Sequence, residues 1–341
     1  MEDLISVIVI TYNEEKTIAR TLDSILMQKC SLPIEIVIGE DNSTDGTRAV
    51  CEDYARRFPS IIRLMDKAPN KGLVDNFFDC LLACKGKYIA DCDGDDFWIT
   101  TDKLEKQREL LDKNPNVSLV HTDWRYYNEE THATSSHKPQ PFTDKITDGK
   151  LMSKEVVTYV GGFIIHLCTA MFRADAMLVA YKEDIRLFRN KDFHCEDKQV
   201  AFAMTQKGDI AFIPEITLNY SFGKPSACNK NDERKQYFYD KSMLILDKYI
   251  CTQYDIKGKE IDKLFDTRLF GLAMHALRCK DKQLRDDSIV CADTYNIVKS
   301  KKVKLAYALM SNDLVWLLTL LARKIFVSLK HAKAKCFSCL E

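Results

Sequence analysis

Gly86-Lys87-Tyr88-Ile89-Ala90-Asp91-Cys92-Asp93-Gly94-Asp95-Asp96-Phe97-Trp98 decides how this chain is read. Tyr88 to Cys92 has the length and apolar content of a strand, and the run breaks at Asp93-Gly94-Asp95, with Asp96 following. Carboxylates crowded at a strand end cost electrostatic energy unless a cation or a basic partner relieves them. Oxygen-only donors favour a hard divalent ion, Mg²⁺ or Mn²⁺. The same string also reads as a solvated acidic turn, and its sequence neighbours have to discriminate.

Upstream, Leu4 to Thr11 (LISVIVIT) is a nearly continuous β-branched run, as expected of a strand buried on both faces. Asn13 is placed to cap a helix carrying Ile18, Leu22, Ile25 and Leu26. Ile34 to Ile38 reads as a second strand, and Ser43-Thr44-Asp45-Gly46 as a turn and cap before Val50, Tyr54 and Phe58. Ile61 to Met65 makes a third strand, and Lys71-Gly72 precedes a helix through Phe77, Leu81 and Leu82. This βαβα rhythm predicts an α/β fold: a mostly parallel sheet with helices on both faces. Such sheets bind ligands at the carboxyl ends of their strands. Thr11, Tyr12, Asn13 and Glu14 follow the first strand, Glu40, Asp41 and Asn42 the second, and Asp93 to Asp96 the fourth. A solvated surface has no need of that alignment along one edge, and a binding site does.

Downstream, residues 128–150 are polar, contain Pro139 and Pro141, and read as a loop. An apolar stretch resumes from Gly161 to Arg173, and His194-Cys195-Glu196-Asp197 leads into a helical pattern of Val200, Phe202, Ala203 and Met204. Ile210 to Ile213 and Ile216 to Tyr220 read as two closing strands. Past Gly223 the pattern turns helical, which puts a domain boundary near residue 225. The expected division is 1–225, with halves 1–98 and 99–225, and a helical C-terminal region 226–341.

Composition and missing motifs narrow the function. Lys plus Arg is 50 and Asp plus Glu is 50, so the broad basic field of a nucleic-acid binder is absent. The first strand is not followed by G-x-G-x-x-G, and neither a P-loop, a G-x-S-x-G elbow nor H-E-x-x-H occurs. His121, His166 and His194 lack a second His at ligand spacing and read as structural. Asp41 to Gly46 with Glu52 at the twelfth position matches a calcium loop, but it follows a strand instead of a helix and carries Arg48 where an apolar residue belongs. Of the 13 cysteines, Cys80, Cys84, Cys92, Cys168, Cys279 and Cys291 sit singly in apolar runs, as reduced core thiols do. Cys336 and Cys339 lack the second pair of a zinc site. An acidic N-terminus and a short first apolar run do not suit a signal peptide, and a cytoplasmic protein is expected.

Ser6-Val7-Ile8-Val9-Ile10-Thr11-Tyr12-Asn13 resembles the opening of family 2 glycosyltransferases, and Ile38-Gly39-Glu40-Asp41-Asn42-Ser43-Thr44-Asp45-Gly46-Thr47 follows at the family's distance. Asn70-Lys71-Gly72 is similar to the next element, and Gly86 to Trp98 is the most specific match. Cys168-Thr169-Ala170-Met171-Phe172-Arg173 and Cys195-Glu196-Asp197 resemble the acceptor-side elements. The resemblance runs in order over residues 4 to about 225. It implies a GT-A fold and inverting transfer from a nucleotide sugar, usually a UDP-sugar, to a glycan or lipid-linked acceptor. It further implies that Thr11, Tyr12, Asn13, Glu14, Asp41, Asn70, Gly72 and Asp93 line the nucleotide pocket, with Asp41 on the uracil edge. Asp93 and Asp95 would hold Mn²⁺ or Mg²⁺, and Asp197, paired with Glu196, would be the base. Two positions depart from the family pattern: Glu40, more often Asp, and Lys198, where an aromatic residue usually stands. The Gln-x-x-Arg-Trp signature of processive synthases is absent, which points to single-sugar addition.

Elementary chemistry is consistent with these expectations. A departing nucleoside diphosphate develops charge that a divalent ion stabilises, and a carboxylate base contributes roughly 10²–10⁴-fold. Glu196-Asp197 alternatively reads as an acidic first helical turn at an N-cap. A non-catalytic metal-binding module remains the rival reading, and a nucleotidyltransferase a weaker one, because Thr11-Tyr12-Asn13-Glu14-Glu15 stands where a glycine-rich basic loop would be needed. In the tail, Leu314 to Ala322 is too short to span a bilayer, which takes about 20 residues. Leu314, Leu317, Leu318, Leu321, Ile325 and Leu329 share a helical face, and five Lys/Arg with no acid lie between Leu314 and Leu340. The tail therefore reads either as a peripheral contact with the inner face of a membrane or as a helix docked on its own domain.

Overall fold

A computed structural model describes residues 1–137, 145–159, 165–223 and 232–321. Pro139 and Pro141, the start of the Gly161–Arg173 run, the Cys336–Cys339 pair and the tail beyond Leu321 lie outside the described residues. The chain divides into two compact units, Met1–Ser226 and Ala227–Glu341.

The first unit is built on one mixed sheet. Its elements are β1 (Glu2–Thr11), α1 (Ile18–Leu26), β2 (Ile34–Glu40), α2 (Thr47–Arg57), β3 (Ile62–Leu64), α3 (Leu73–Ala83), β4 (Gly86–Asp91) and β5 (Phe97–Trp98). Then come α4 (Lys103–Lys113), β6 (Val117–Asn128), β7 (Thr134–Ser135), β8 (Ile146–Thr147), α5 (Gly149–Thr158), a 3₁₀ turn (Leu167–Thr169) and β9 (Ala170–Arg173). α6 (Ala174–Glu183), α7 (Ile185–Arg189), α8 (Glu196–Thr205) and β10 (Asp209–Phe222) complete it. The strand order is β3-β2-β1-β4-β9-β6-β10-β5, with β7 on β6 and β8 on β10. β1 runs parallel to both β2 and β4, β2 to β3, and β6 to β10, while β9 is antiparallel to its neighbours β4 and β6. Val7, Ile8 and Val9 are wholly buried, because helices cover both faces of β1. The chain leaves β1 through β2 and β3, then returns to β4 on the other side of β1. The carboxyl ends of β1 and β4 therefore flank a topological switch point, where such sheets bind ligands.

Four local expectations are corrected. Asn13 does not cap a helix: it has φ +58°, its N–H donates to Ser43 Oγ (2.9 Å) and its Oδ1 accepts from Thr44 N–H (2.8 Å). Asn tolerates that left-handed conformation better than other non-glycine residues; α1 starts five residues later, at Ile18. The two closing strands are one, β10, with register shifts around Ile213 and Ile216. Pro214 lies within the shift, and a bulge is where a strand can hold a residue without an N–H. Residues 99–127, to which the sequence pattern assigns nothing, contain α4 and most of β6. The polar segment 128–150 is not all loop: its described part includes β7, β8 and the first turn of α5, whose cap Asp148 accepts from Leu151 N–H (3.1 Å).

The second unit is helical: α9 (Glu233–Gln253), α10 (Lys259–Cys279), α11 (Lys282–Thr294), α12 (Lys301–Ser311) and α13 (Asp313–Leu321). Asp232, Asp281 and Ser300 cap α9, α11 and α12 with side-chain oxygens that accept first-turn N–H groups. Leu244, Ile250, Leu264, Leu269, Leu272 and Ala276 form its apolar interior. His275 lies between Glu233 Oε2 (2.6 Å from Nδ1) and Asp240 Oδ2 (3.0 Å from Nε2). Among the described residues no single helix is long and apolar enough to cross a membrane. The ten described cysteines are all free thiols.

Candidate active site

The switch point is closed by short contacts between the β1 and β4 loops. Thr11 Oγ1 donates to Glu14 Oε2 (2.8 Å), and Glu14 N–H donates to Thr47 Oγ1 (2.7 Å) at the start of α2. Gly94 N–H donates to Ile10 O (2.9 Å), so the acidic loop extends the β1–β4 ladder. A Cβ on Gly94 would meet Glu14 Oε2 at 2.2 Å and Thr11 Oγ1 at 2.6 Å, which explains why glycine separates the two aspartates. Arg20 of α1 donates to the Asp95 carbonyl (3.0 Å) and to Glu129 (2.6 Å), with its guanidinium 4.0 Å from the centroid of the Phe97 ring. Tyr12, between Thr11 and Asn13, is exposed.

Asp41 joins three strand-end loops. Its N–H donates to Thr11 O (3.0 Å), and its carboxylate accepts from Lys71 N–H and Gly72 N–H, both at 2.9 Å. Asn70 Nδ2 donates to the Asp41 carbonyl (2.8 Å). Gly72 has φ +85°, a conformation that favours glycine and turns its N–H to the carboxylate. Asp41, Asn70 and Gly72, singled out separately in the sequence, thus form one hydrogen-bonded corner. Glu40 accepts from Ser43 N–H (2.5 Å) and faces Arg48 at 3.7 Å, which accommodates the longer acid.

The acidic segments meet through a two-residue bridge. Leu167 N–H donates to Asp197 Oδ1 (2.7 Å). The next residue, Cys168, donates its thiol to Asp91 Oδ2 (3.5 Å) and accepts from Asp93 N–H (3.3 Å). Burial first, and Asp197 second, push the Asp91 carboxyl up to about 8. Burial, then Asp91 and Glu196, hold Asp93 well above the carboxylate range. Glu196 is raised by burial and then by Asp197, and burial lifts Asp197 to about 6 against the lowering effect of Leu167 N–H. Glu196 and Asp197 open α8, but the cap position is Cys195, and Asp197 spends Oδ1 on the bridge. Lys198, the departure from the family pattern, is buried and donates to Val157 O (3.0 Å) in the last turn of α5, a usual place for a lysine.

Asp91 Oδ1, Asp93 Oδ1 and Asp96 Oδ2 are buried without a hydrogen-bond partner. Donor atoms of Asp91, Asp93 and Cys168 lie within 4.8 Å of one another. Buried, partnerless carboxylate oxygens that raise one another's pKa suit a hard divalent cation, so Asp91 and Asp93 fit Mn²⁺ or Mg²⁺, while the Cys168 thiol, kept protonated by burial and the neighbouring acids, is not a ligand for such an ion. Asp95, expected as a ligand, is not part of that three-residue group. Asp91 and Arg20 were missed from the sequence, and Asp96 and Cys168, though quoted in its motifs, were given no role: Asp91 and Cys168 sit in apolar runs that read as plain core. The available signal was a carboxylate as the last residue of an otherwise apolar strand, which is rarely buried without a role.

The profile of "Glycosyl transferase family 2" matches residues 6–177, half of the chain. Uncharacterised mycobacterial relatives are 32% identical over 152 residues, 45% of this chain, and the chain spans 44% of their length. The Escherichia coli UDP-Glc:alpha-D-GlcNAc-diphosphoundecaprenol beta-1,3-glucosyltransferase WfgD is 29% identical over 189 residues, 55% of this chain and 70% of WfgD. The S. aureus TarS 1–349 structure in complex with UDP-GlcNAc superposes with a TM-score of 0.63 at 16% identity, over 89% of this chain and 83% of that one. The mannosyltransferase PcManGT from Pyrobaculum calidifontis, in complex with GDP-Man and Mn²⁺, gives 0.52 at 16% identity, over 94% and 86%. These two structures share the fold with this chain. With residues 6–177 matched, the acidic strand ends gathered at one switch point and the same architecture in solved transferases, the chain belongs to glycosyl transferase family 2.

Proposed function

We propose that this protein transfers one sugar, with inversion, from a nucleotide diphosphate sugar to a hydroxyl of a glycan or lipid-linked acceptor. The observation that carries the proposal is the bridge Asp197–Leu167–Cys168–Asp91/Asp93, which brings a carboxylate pair from α8 to the acidic end of β4. In this reading the loops holding Thr11, Tyr12, Asn13 and Glu14, and the corner made by Asp41, Asn70 and Gly72, receive the nucleotide. Asp93, with Asp91 or Asp95 beside it, would hold a divalent cation. When bound, that cation offsets the charge developing on the diphosphate leaving group. Asp197 takes the proton of the acceptor hydroxyl; with its pKa at about 6 it is mostly ionised above neutrality and still basic enough to accept. Glu196 beside it, raised by burial, stays protonated longer and keeps the pair from carrying two full charges. A UDP-sugar is the favoured donor and the cytoplasm the favoured location.

Asp197→Asn is expected to lower turnover by roughly 10²-fold or more while leaving nucleoside diphosphate affinity nearly unchanged. Calorimetry of UDP, GDP, CDP and dTDP with and without Mn²⁺, beside Asp95→Asn and Asp93→Asn, identifies the base and the cation's ligands. A folded protein that binds cations but none of these nucleotides would make the metal-binding module the better account.

A further inference from the structure

The last two described helices, α12 and α13, are fastened to the second unit by one face each and show leucines on the other. In α12, Val303 and Tyr307 are buried, and Tyr307 OH donates to Leu269 O (3.0 Å) of α10. At 100° per residue the opposite face carries Lys301, Leu305 and Leu309, with Lys304 on the flank, and Leu305 is 62% exposed. α13 meets α12 at a 93° bend. Asp313 opens α13 and is held by Arg285 (2.7 Å) and Lys282 (2.9 Å) of α11, and buried Trp316 lies 5.5 Å from the Arg285 guanidinium. Leu314, Leu317, Leu318 and Leu321 occupy the side of α13 opposite Trp316, 48–65% exposed. Docking on its own unit therefore uses the tryptophan face and leaves the leucine stripe outside.

We propose that this stripe is a docking surface for an anionic lipid bilayer. A stripe of exposed leucines over two consecutive helices exceeds the scattered single apolar residues normal on a soluble surface. Its surroundings choose the occupant. Lys301, Lys302 and Lys304 are exposed at the start of α12, and the sequence beyond Leu321, outside the described residues, carries five Lys/Arg and no acid up to Leu340. Basic residues around an apolar helical face complement anionic headgroups, whereas two copies of the same face would bring like charges together. Neither helix alone is long enough to span; together the bent pair has the length and composition of a broken span, but the 93° bend and the buried Val303, Tyr307 and Trp316 favour both helices lying in the interface, with the leucines entering the acyl boundary and the lysines at headgroup level.

The test is sedimentation of the full-length chain with vesicles of phosphatidylcholine alone and of phosphatidylcholine mixed with phosphatidylglycerol. Binding to the mixed vesicles only is expected, weakening as salt is raised. Leu317→Asp/Leu318→Asp is expected to abolish it. Lys301→Glu/Lys304→Glu is expected to weaken it by about tenfold or more. Both pairs are exposed, and circular dichroism checks their folding; the salt series reads the charge contribution with no variant at all. Equal binding to both vesicle types would overturn the proposal. So would vesicle binding by the intact chain that Leu317→Asp/Leu318→Asp leaves unchanged. A chain that ignores vesicles but dimerises on concentration, and loses that with the same leucine variant, would assign the stripe to a second copy and refute the lipid surface.

Discussion

Gly94→Ala is the sharpest test of how the site is put together. Gly94 is pinned to β1 by its hydrogen bond to Ile10 O (2.9 Å), so it cannot simply back away. Its new Cβ would stand 2.2 Å from Glu14 Oε2, 2.6 Å from Thr11 Oγ1 and 2.7 Å from Thr11 Cβ. Carbon atoms prefer about 3.5–4.0 Å, so roughly 1 Å has to be found. Glu14 can swing aside, but Thr11 is buried, ends β1, and its carbonyl holds Asp41 N–H. Overpacking of this kind costs about 1–3 kcal/mol. Losing the charge-assisted Thr11–Glu14 bond adds about 1–2 kcal/mol. A total of about 2–5 kcal/mol, with a urea slope of about 2–3 kcal/mol per molar, lowers the unfolding midpoint by about 1–2 M. Tryptophan fluorescence in a Trp316→Phe background reports Trp98 and Trp124, both in the first unit. Nucleoside diphosphate affinity, measured by calorimetry on the folded variant, should fall by about tenfold or more, because the same shift displaces Glu14. An unchanged midpoint together with unchanged affinity would show that the loop has slack, and the account of the β1–β4 junction would be wrong.

Two further perturbations probe the two units separately. Ser6→Ala should cost about 1–3 kcal/mol in urea unfolding, since the buried Ser6 Oγ accepts from Gly86 N–H (2.8 Å) and donates to Glu35 (2.5 Å), and alanine leaves that N–H orphaned. His275 has a carboxylate at each ring nitrogen, so only the imidazolium satisfies both; Asp240 first, then Glu233, raise its pKa, against burial. A raised folded pKa gives stability that is complete below the unfolded value of 6.5 and lost as pH rises through the folded one. Unfolding of the second unit, followed by Trp316 fluorescence, should therefore weaken with pH above neutrality, and His275→Gln should flatten that dependence.

What was legible in the sequence had local causes. β1, β2 and β4 announce themselves because strands covered on both faces need short, largely apolar runs, and the polar residues at their ends stand out against them. What was hidden depends on distant partners. Asn13 has the chemistry of a helix cap, yet its partners lie at Ser43 and Thr44, and only the fold selects the left-handed use. β6 escapes the alternation rule because His121 and Thr122 are buried: Thr122 Oγ1 pairs with Thr217 Oγ1 (2.6 Å) across to β10, and the His121 ring packs on Phe212. The turn Asn114-Pro115-Asn116 before it was the usable signal. Cys168 looked like core filling, and it does fill core; that its thiol also links Asp91 to the Asp197 side follows from the 3₁₀ turn at Leu167–Thr169, which no periodicity records.

The Asp41 corner has a consequence for exchanging parts among sequences of this fold. Two consecutive backbone N–H groups, of Lys71 and Gly72, are read by one carboxylate whose own N–H is anchored to β1. The segment before α3 is thus gripped by its main chain, while the side chain of Lys71 reaches away to Asp79 (2.8 Å). A transplanted loop seats correctly when it brings an Asn-x-Gly at this register, whatever side chains it carries between. Side-chain variation at position 71 can accumulate without disturbing this frame, because the grip is on the main chain.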